Sequence, residues 1–230
     1  GSIVRRLFIV GALGLVLFEL ANVWFIMPLP YSQRVRSIEL AYALHTWRWA
    51  VRAVFGVMLL VGFRAAWRTQ GWHRLLVWPV LALVVGVTYM TNAVMAADRM
   101  FLMPERVTMV PASRNLVEKN RLVVGVVLNG DARAYPVQFI GYHHQVRDSV
   151  AGEPVLVTFC TVCRTGRVFS PIIDGREERF RLVGMDHFNA MLEDVTTRSW
   201  WRQATGEAVT GARAGNTLRE IPSQQVTLAL

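Results

Sequence analysis

Leu7 to Met27 reads LFIVGALGLVLFELANVWFIM, an apolar stretch holding a single carboxylate, Glu19. A helix needs about twenty apolar residues to cross the hydrocarbon core of a bilayer. Inside that core the backbone must satisfy its own hydrogen bonds, which leaves a lone apolar segment only the helix. Arg5 and Arg6 precede the run, and Pro28-Leu29-Pro30 ends it. An uncleaved signal peptide is the competing reading. It fits less well: the run is too long, no A-x-A site follows, and two further apolar runs come after it. These cover about 49–67, with Arg52 inside, and about 75–96, with Pro79 in the first turn, where a missing N–H costs least. Gly1-Ser2 is of the kind an expression vector leaves behind.

Charge divides the chain at the same place. Before Glu105 there are ten Arg, no Lys and three acids; from Glu105 onward fifteen Lys and Arg face thirteen acids. The formal charge of +9 therefore lies mostly beside apolar runs, where arginine marks helix ends and contacts anionic lipid. A nucleic-acid binder concentrates its basic residues on a folded surface, so that function class is excluded. With three crossings, Arg5, Arg6, Arg64, Arg68 and Arg74 fall on one side, while Arg34, Arg36 and Arg48 fall on the other. The bias sets the expectation of a bacterial inner-membrane protein, N-terminus cytoplasmic and C-terminal domain periplasmic.

A carboxyl in mid-helix is costly in lipid, so Glu19 is expected to face other helices, to be protonated, or to pair with arginine. Arg48 and Arg52, four residues apart, share one helix face and are expected to snorkel to the same interface. His45 and His73 lie at membrane edges.

From Val107 the pattern changes. Leu122 to Leu128 is β-rich and ends at Asn129-Gly130-Asp131, a hairpin turn signal, with Ala132 to Phe139 as the return strand. Pro154 to Phe159, Arg167 to Ile173 and Arg179 to Val183 read as further strands, with a turn at Asp174-Gly175. Phe188 to Asp194 alone reads as helical. The fold class is thus three N-terminal transmembrane α-helices (residues 1–104) followed by a mainly β, or α+β, extramembrane domain (105–230), large enough for its own core.

Both cysteines fall in Cys160-Thr161-Val162-Cys163, directly after a strand. A thioredoxin-like motif is followed by a helix that lowers the thiol pKa; here Arg164-Thr165-Gly166 and another β-rich run follow, which makes a hairpin knuckle. Such a knuckle holds a metal if other ligands complete it. His143, His144 and His187 are candidates, with Met185 as a soft extra ligand. Two Cys with two His suit zinc, and Cys with His and Met suit copper. Redox thiols and a structural disulfide remain open, the last favoured outside the cytoplasm. Trp200, Trp201 and Arg202 form an aromatic and basic cluster that fits a core or an interface. With Glu19 and Arg52 they are the candidate interaction residues.

Several of these residues carry a family resemblance. Ala132-Arg133-Ala134-Tyr135-Pro136, His143, Val157-Thr158-Phe159 leading to Cys160 and Cys163, Thr165-Gly166, and then Trp201, Gln203, Gly206, Gly211 and Gly215 resemble the pattern of the bacterial DUF3179 family, a domain of unknown function. The apolar segment Ala21 to Pro28 is similar to that of membrane-bound members. The resemblance implies a shared fold and no established activity. Two positions depart from it: Thr161 stands where the family has proline, and His144 where it has glutamate.

No acid/base pair of convincing spacing and no cofactor fingerprint stands out, so enzymatic activity is not the leading expectation. Three helices exceed what an anchor needs, and Gly11, Gly14, Gly56 and Gly86 offer small-residue surface for other membrane helices. The leading expectation is a non-enzymatic accessory subunit that stabilises or assembles a larger inner-membrane complex, of the electron-transfer or photosynthetic kind. Its partners would be membrane lipid and other integral membrane subunits. The second expectation is a periplasmic copper, zinc or thiol-redox protein built on the CxxC and its histidines.

Overall fold

The computed structural model describes residues 2–35, 37–68 and 72–229, so Gly1 and Arg36 lie outside the described residues, as does the side chain of His73. The chain forms two compact units, 1–99 and 100–230.

The first unit is helical. Helix α1 (Ser2–Trp24) runs through the first apolar stretch. It ends before Pro28, which has no N–H to continue the ladder, and the Ser32 hydroxyl donates to the Met27 carbonyl at 2.7 Å to close the turn. Helix α2 (Ile38–Trp67) starts well before the expected Trp49. Its thirty residues span about 45 Å at 1.5 Å per residue, more than one bilayer core requires. The third run opens as a 3-10 turn (Trp72–Leu76), continues as α3 (Val77–Tyr89) and finishes in a π-helical turn (Met90–Val94). A short α4 (Ala97–Met100) follows. Three helical stretches, Ile3–Trp24, Ile38–Trp67 and Arg74–Val94, are long and apolar enough to cross a membrane.

Helices α1 and α2 approach closely because glycines allow it. A Cβ at Gly11 would stand 2.5 Å from the Leu59 backbone nitrogen, one at Gly14 would run into the Phe55 ring, and one at Gly62 would strike the Phe8 backbone. Phe8, Ala66 and Val77 form one buried cluster of this unit, and Ala12, Leu15 and Val84 another.

The second unit consists of several small antiparallel sheets. Its strands are β1 (Leu122–Leu128), β2 (Asp131–Pro136), β3 (Gln145–Val150), β4 (Glu153–Cys160), β5 (Thr165–Phe169), β6 (Ile172–Ile173), β7 (Arg176–Glu177), β8 (Phe180–Asp186), β9 (Asn189–Asp194), β10 (Trp200–Arg202), β11 (Ala208–Thr210) and β12 (Ser223–Thr227), with helix α5 (Val137–His143) between β2 and β3. The sheet orders are β12-β1-β2, β3-β4-β5, β11-β10-β9-β8 and β6-β7. Val124, Val126, Tyr135, Ile140, Val157 and Val168 are among the side chains of the buried core that joins the first two sheets.

Three local expectations are corrected. The return strand stops at Pro136 instead of reaching Phe139, and α5 begins there. Proline cannot donate to the ladder, and its φ of −61° suits the residue that starts a helix. The Arg167 to Ile173 run is divided by Ser170-Pro171 for the same reason. The segment expected to be helical, Phe188 to Asp194, is instead a turn residue followed by strand β9 (Asn189–Asp194). His187 and Phe188, at φ 48° and 63°, form a two-residue turn that pairs Asp186 with Asn189. Both turn residues lie in the left-handed region that matches the twist of a hairpin.

Candidate functional site

Strand β4 carries Cys160 at its last position, paired with Thr165 at the start of β5. The knuckle expected from the sequence is therefore present. Cys160 and Cys163 are joined as a disulfide. Cys160 is fully buried; Cys163 is partly exposed on a turn whose Thr161, Val162 and Arg164 are exposed. The Cys163 N–H donates to Cys160 Sγ at 3.3 Å, and the Thr165 hydroxyl donates to the Cys163 carbonyl at 3.0 Å. Cys160 Sγ also lies 3.6 Å from the Phe188 carbonyl oxygen at the β8–β9 turn. From the other side, Gln225 of β12 accepts the Gly166 N–H at 3.0 Å. Gly166 is required here: a Cβ would stand 2.5 Å from Val124 Cγ2.

This geometry does not bring the expected metal ligands together. Two sulfurs bonded to each other offer no thiolate, and the histidines are engaged separately. His143 bonds through Nδ1 to the Leu102 carbonyl oxygen, with the Phe139 and Tyr142 rings at 4.8 and 5.0 Å. His187 Nδ1 is 2.8 Å from Asp186 Oδ1, and Met185 is buried on β8. Among the described residues no group of three or more His, Cys, Asp or Glu could hold a metal ion.

His144 is the histidine nearest the knuckle. It caps α5 with φ 64°, its ring lies tilted against Phe101 at 4.3 Å, and its Nε2 is 3.3 Å from Thr161 Oγ1. Burial pushes its imidazole below the ordinary value, against the backbone hydrogen bond at Tyr142. The two positions that depart from the family pattern, Thr161 and His144, are thus in contact with each other.

Trp200 and Trp201 both belong to the core, each 1% exposed. That removes them as interface residues. Trp200 Nε1 donates to Glu193 at 2.9 Å and Trp201 Nε1 to Asp194 at 2.8 Å. Arg202 is spent on Asp186 at 2.8 Å. Two polar groupings were missed from the sequence. Tyr135 donates to Asp148 at 2.8 Å, and Arg133 bridges Asp148 and Asp131. Arg213 pairs with Glu178 at 2.8 Å and with Asp194 at 3.4 Å. Only the alternation of opposite charges hints at either.

In the helical unit Glu19 is fully buried and pairs with Arg52: Nε donates at 2.6 Å and Nη2 at 3.0 Å. Asn92 Nδ2 adds a third donor at 2.8 Å and Thr91 Oγ1 a fourth at 3.3 Å. Arg52 also donates to Asn92 Oδ1 at 2.7 Å and lies over the Trp49 ring at 4.9 Å. Of the fates expected for Glu19, facing other helices and pairing with arginine are both realised. Arg52 turns toward Glu19, whereas the Arg48 guanidinium donates to the His45 carbonyl. Asn92 and Thr91 are brought to Glu19 by the π-helical turn, a feature often found where a helix is adapted to a task.

These features define a class: an antiparallel β domain with a disulfide-closed hairpin knuckle, preceded by a bundle of membrane-length helices held by a buried ion pair. Residues 102–229 match the model of a family described as protein of unknown function (DUF3179). The chain belongs to that family. No curated protein and no solved structure matches it.

Proposed function

We propose that this chain is a non-enzymatic accessory subunit whose helical bundle docks sideways on the helices of a larger inner-membrane complex. The observation that carries the reading is the way the glycines are divided. Gly11, Gly14 and Gly62 are used up between α1 and α2, whereas a Cβ at Gly56 or Gly86 would meet nothing within 4 Å. Gly56 shares a face of α2 with exposed Leu60, and Gly86 shares a face of α3 with exposed Leu83, continued by exposed Met90 at the start of the π-helical turn. Small residues flanked by exposed large ones form the notch into which another transmembrane helix packs, since close backbone approach is what drives association in lipid. Because Glu19 and Arg52 satisfy each other inside the bundle, no charge has to be matched by the partner.

In this reading the N-terminus is cytoplasmic and the β domain periplasmic. The arginine asymmetry supports that orientation, and a Cys160–Cys163 disulfide fits an oxidising compartment. Extraction in mild detergent tests the proposal. The wild-type chain should migrate with integral membrane partners, and Gly56→Leu or Gly86→Leu should release it from them while leaving its helical circular dichroism intact. A wild-type chain that is strictly monomeric in the gentlest detergent sinks the idea.

A further inference from the structure

We propose that Cys160 and Cys163 form a reversible dithiol–disulfide couple that exchanges electrons with a protein dithiol, with Cys163 as the sulfur attacked. The bond closes a ring of only four residues, the case in which a cross-link restrains the unfolded chain least. The hairpin already has the β4–β5 ladder from Leu156↔Phe169 to Cys160↔Thr165 to hold it. A structural role therefore accounts for little of this disulfide.

The two sulfurs are not equivalent. Cys160 is fully buried, facing the Phe188 carbonyl, while Cys163 lies on the exposed turn beside the cationic Arg164. Exchange requires an incoming thiolate to reach one sulfur and the other to leave, and access decides which is which. An attacking thiolate reaches Cys163. The Cys160–Cys163 bond breaks, a mixed disulfide forms on Cys163, and its electron pair departs on Cys160. The Cys163 N–H already points at that sulfur from 3.3 Å and stabilises the developing thiolate. On protonation the Cys160 thiol can donate to the Phe188 carbonyl, 3.6 Å away. The partner's second thiolate then attacks its own sulfur in the mixed disulfide and releases Cys163. The balance is two electrons and two protons moved to this chain, with the partner dithiol oxidised to a disulfide. The reverse sequence oxidises this chain.

The test uses the full-length chain in detergent with glutathione as the probe. Dithiothreitol should yield two alkylatable thiols on the folded protein, and oxidised glutathione should restore the bond. In Cys160→Ser the remaining Cys163 should form a glutathione mixed disulfide roughly tenfold or more faster than Cys160 does in Cys163→Ser, as access dictates. The proposal is overturned if the wild-type bond opens only when the protein is unfolded, or if Cys160 reacts as fast as Cys163. The wild-type measurement stands even if a variant fails to fold.

Discussion

Replacing Arg52 with leucine should destabilise the helical bundle by about 3 kcal/mol, while replacing Arg52 and Glu19 together should cost far less. Arg52 supplies two of the four donors around the Glu19 carboxylate, at 2.6 and 3.0 Å, and Glu19 has no exposed surface. Two effects compete for the size of the loss. Hydrogen bonds between membrane helices are worth only about 0.6 kcal/mol on average, because the separated helices find other partners. Stranding one member of a buried ion pair costs about 3–5 kcal/mol. The second governs here, since Asn92 and Thr91 remain but carry no charge. Taking the lower end of that range allows for Arg52 being 15% exposed. Leucine at both positions removes the carboxylate along with its cation and leaves only Asn92 and Thr91 to re-pair, about 1 kcal/mol. The assay is reversible unfolding of the full chain by sodium dodecyl sulfate in mixed micelles, followed at the helical 222 nm band, with both single variants and the double. A single Arg52→Leu loss below about 1 kcal/mol, or a double variant no more stable than Arg52→Leu, would refute the reasoning.

The glycine division predicts opposite results for one chemical change: Gly62→Ala should break α1–α2 packing, because its Cβ strikes the Phe8 backbone, and Gly56→Ala should leave the bundle intact; the same titration reports both. Trp201→Phe keeps a ring in the core but removes one donor of Asp194, which retains Thr197 and Arg213, a cost of about 1 kcal/mol that chemical denaturation should register. Burial would raise the Glu178 carboxyl, yet hydrogen bonds from Arg213, Thr196 and the Arg179 N–H outweigh it and hold the group below its ordinary 4.5. A depressed folded-state value gives stability that is present above 4.5 and lost as pH falls through the lower value, so Arg213→Met should flatten the acid limb of the stability profile; an unchanged limb counts against it.

Hydrophobic length was the legible part of the chain, because a membrane span is announced by uninterrupted apolar residues whatever its neighbours are. The Asn129-Gly130 turn and the CxxC knuckle were legible for a similar reason: each is a local signal, one conformational and one chemical. The partners of Glu19 were not. Asn92 is seventy-three residues away and reaches it only through a π-helical turn that no composition marks. The His187-Phe188 turn was hidden because Phe188 is not a usual left-handed residue, and the strand after it then passed for a helix. For Trp200 and Trp201 the deciding fact was the register of β10 on β9, which sets Glu193 and Asp194 within reach of the indoles. Side-chain identity alone could not choose core over interface. At the knuckle the sequence left open whether sulfur meets sulfur or metal, because that depends on where His143, His144 and His187 lie in the fold.

A π-helical turn is an α-helix carrying one surplus residue, and Met90–Val94 holds that residue where the third span meets the Glu19 pair. In genetic terms the span carries one codon too many, so a single in-frame deletion there would restore a regular helix. The repaired helix would be better hydrogen-bonded on its own but would lose the bulge that presents Thr91 and Asn92 to Glu19. Asn92 would then leave Glu19 and Arg52 together. The chain thus keeps an irregular reading length in its last span at the cost of local regularity, and a deletion scan across these five positions is where a better helix should make a worse protein.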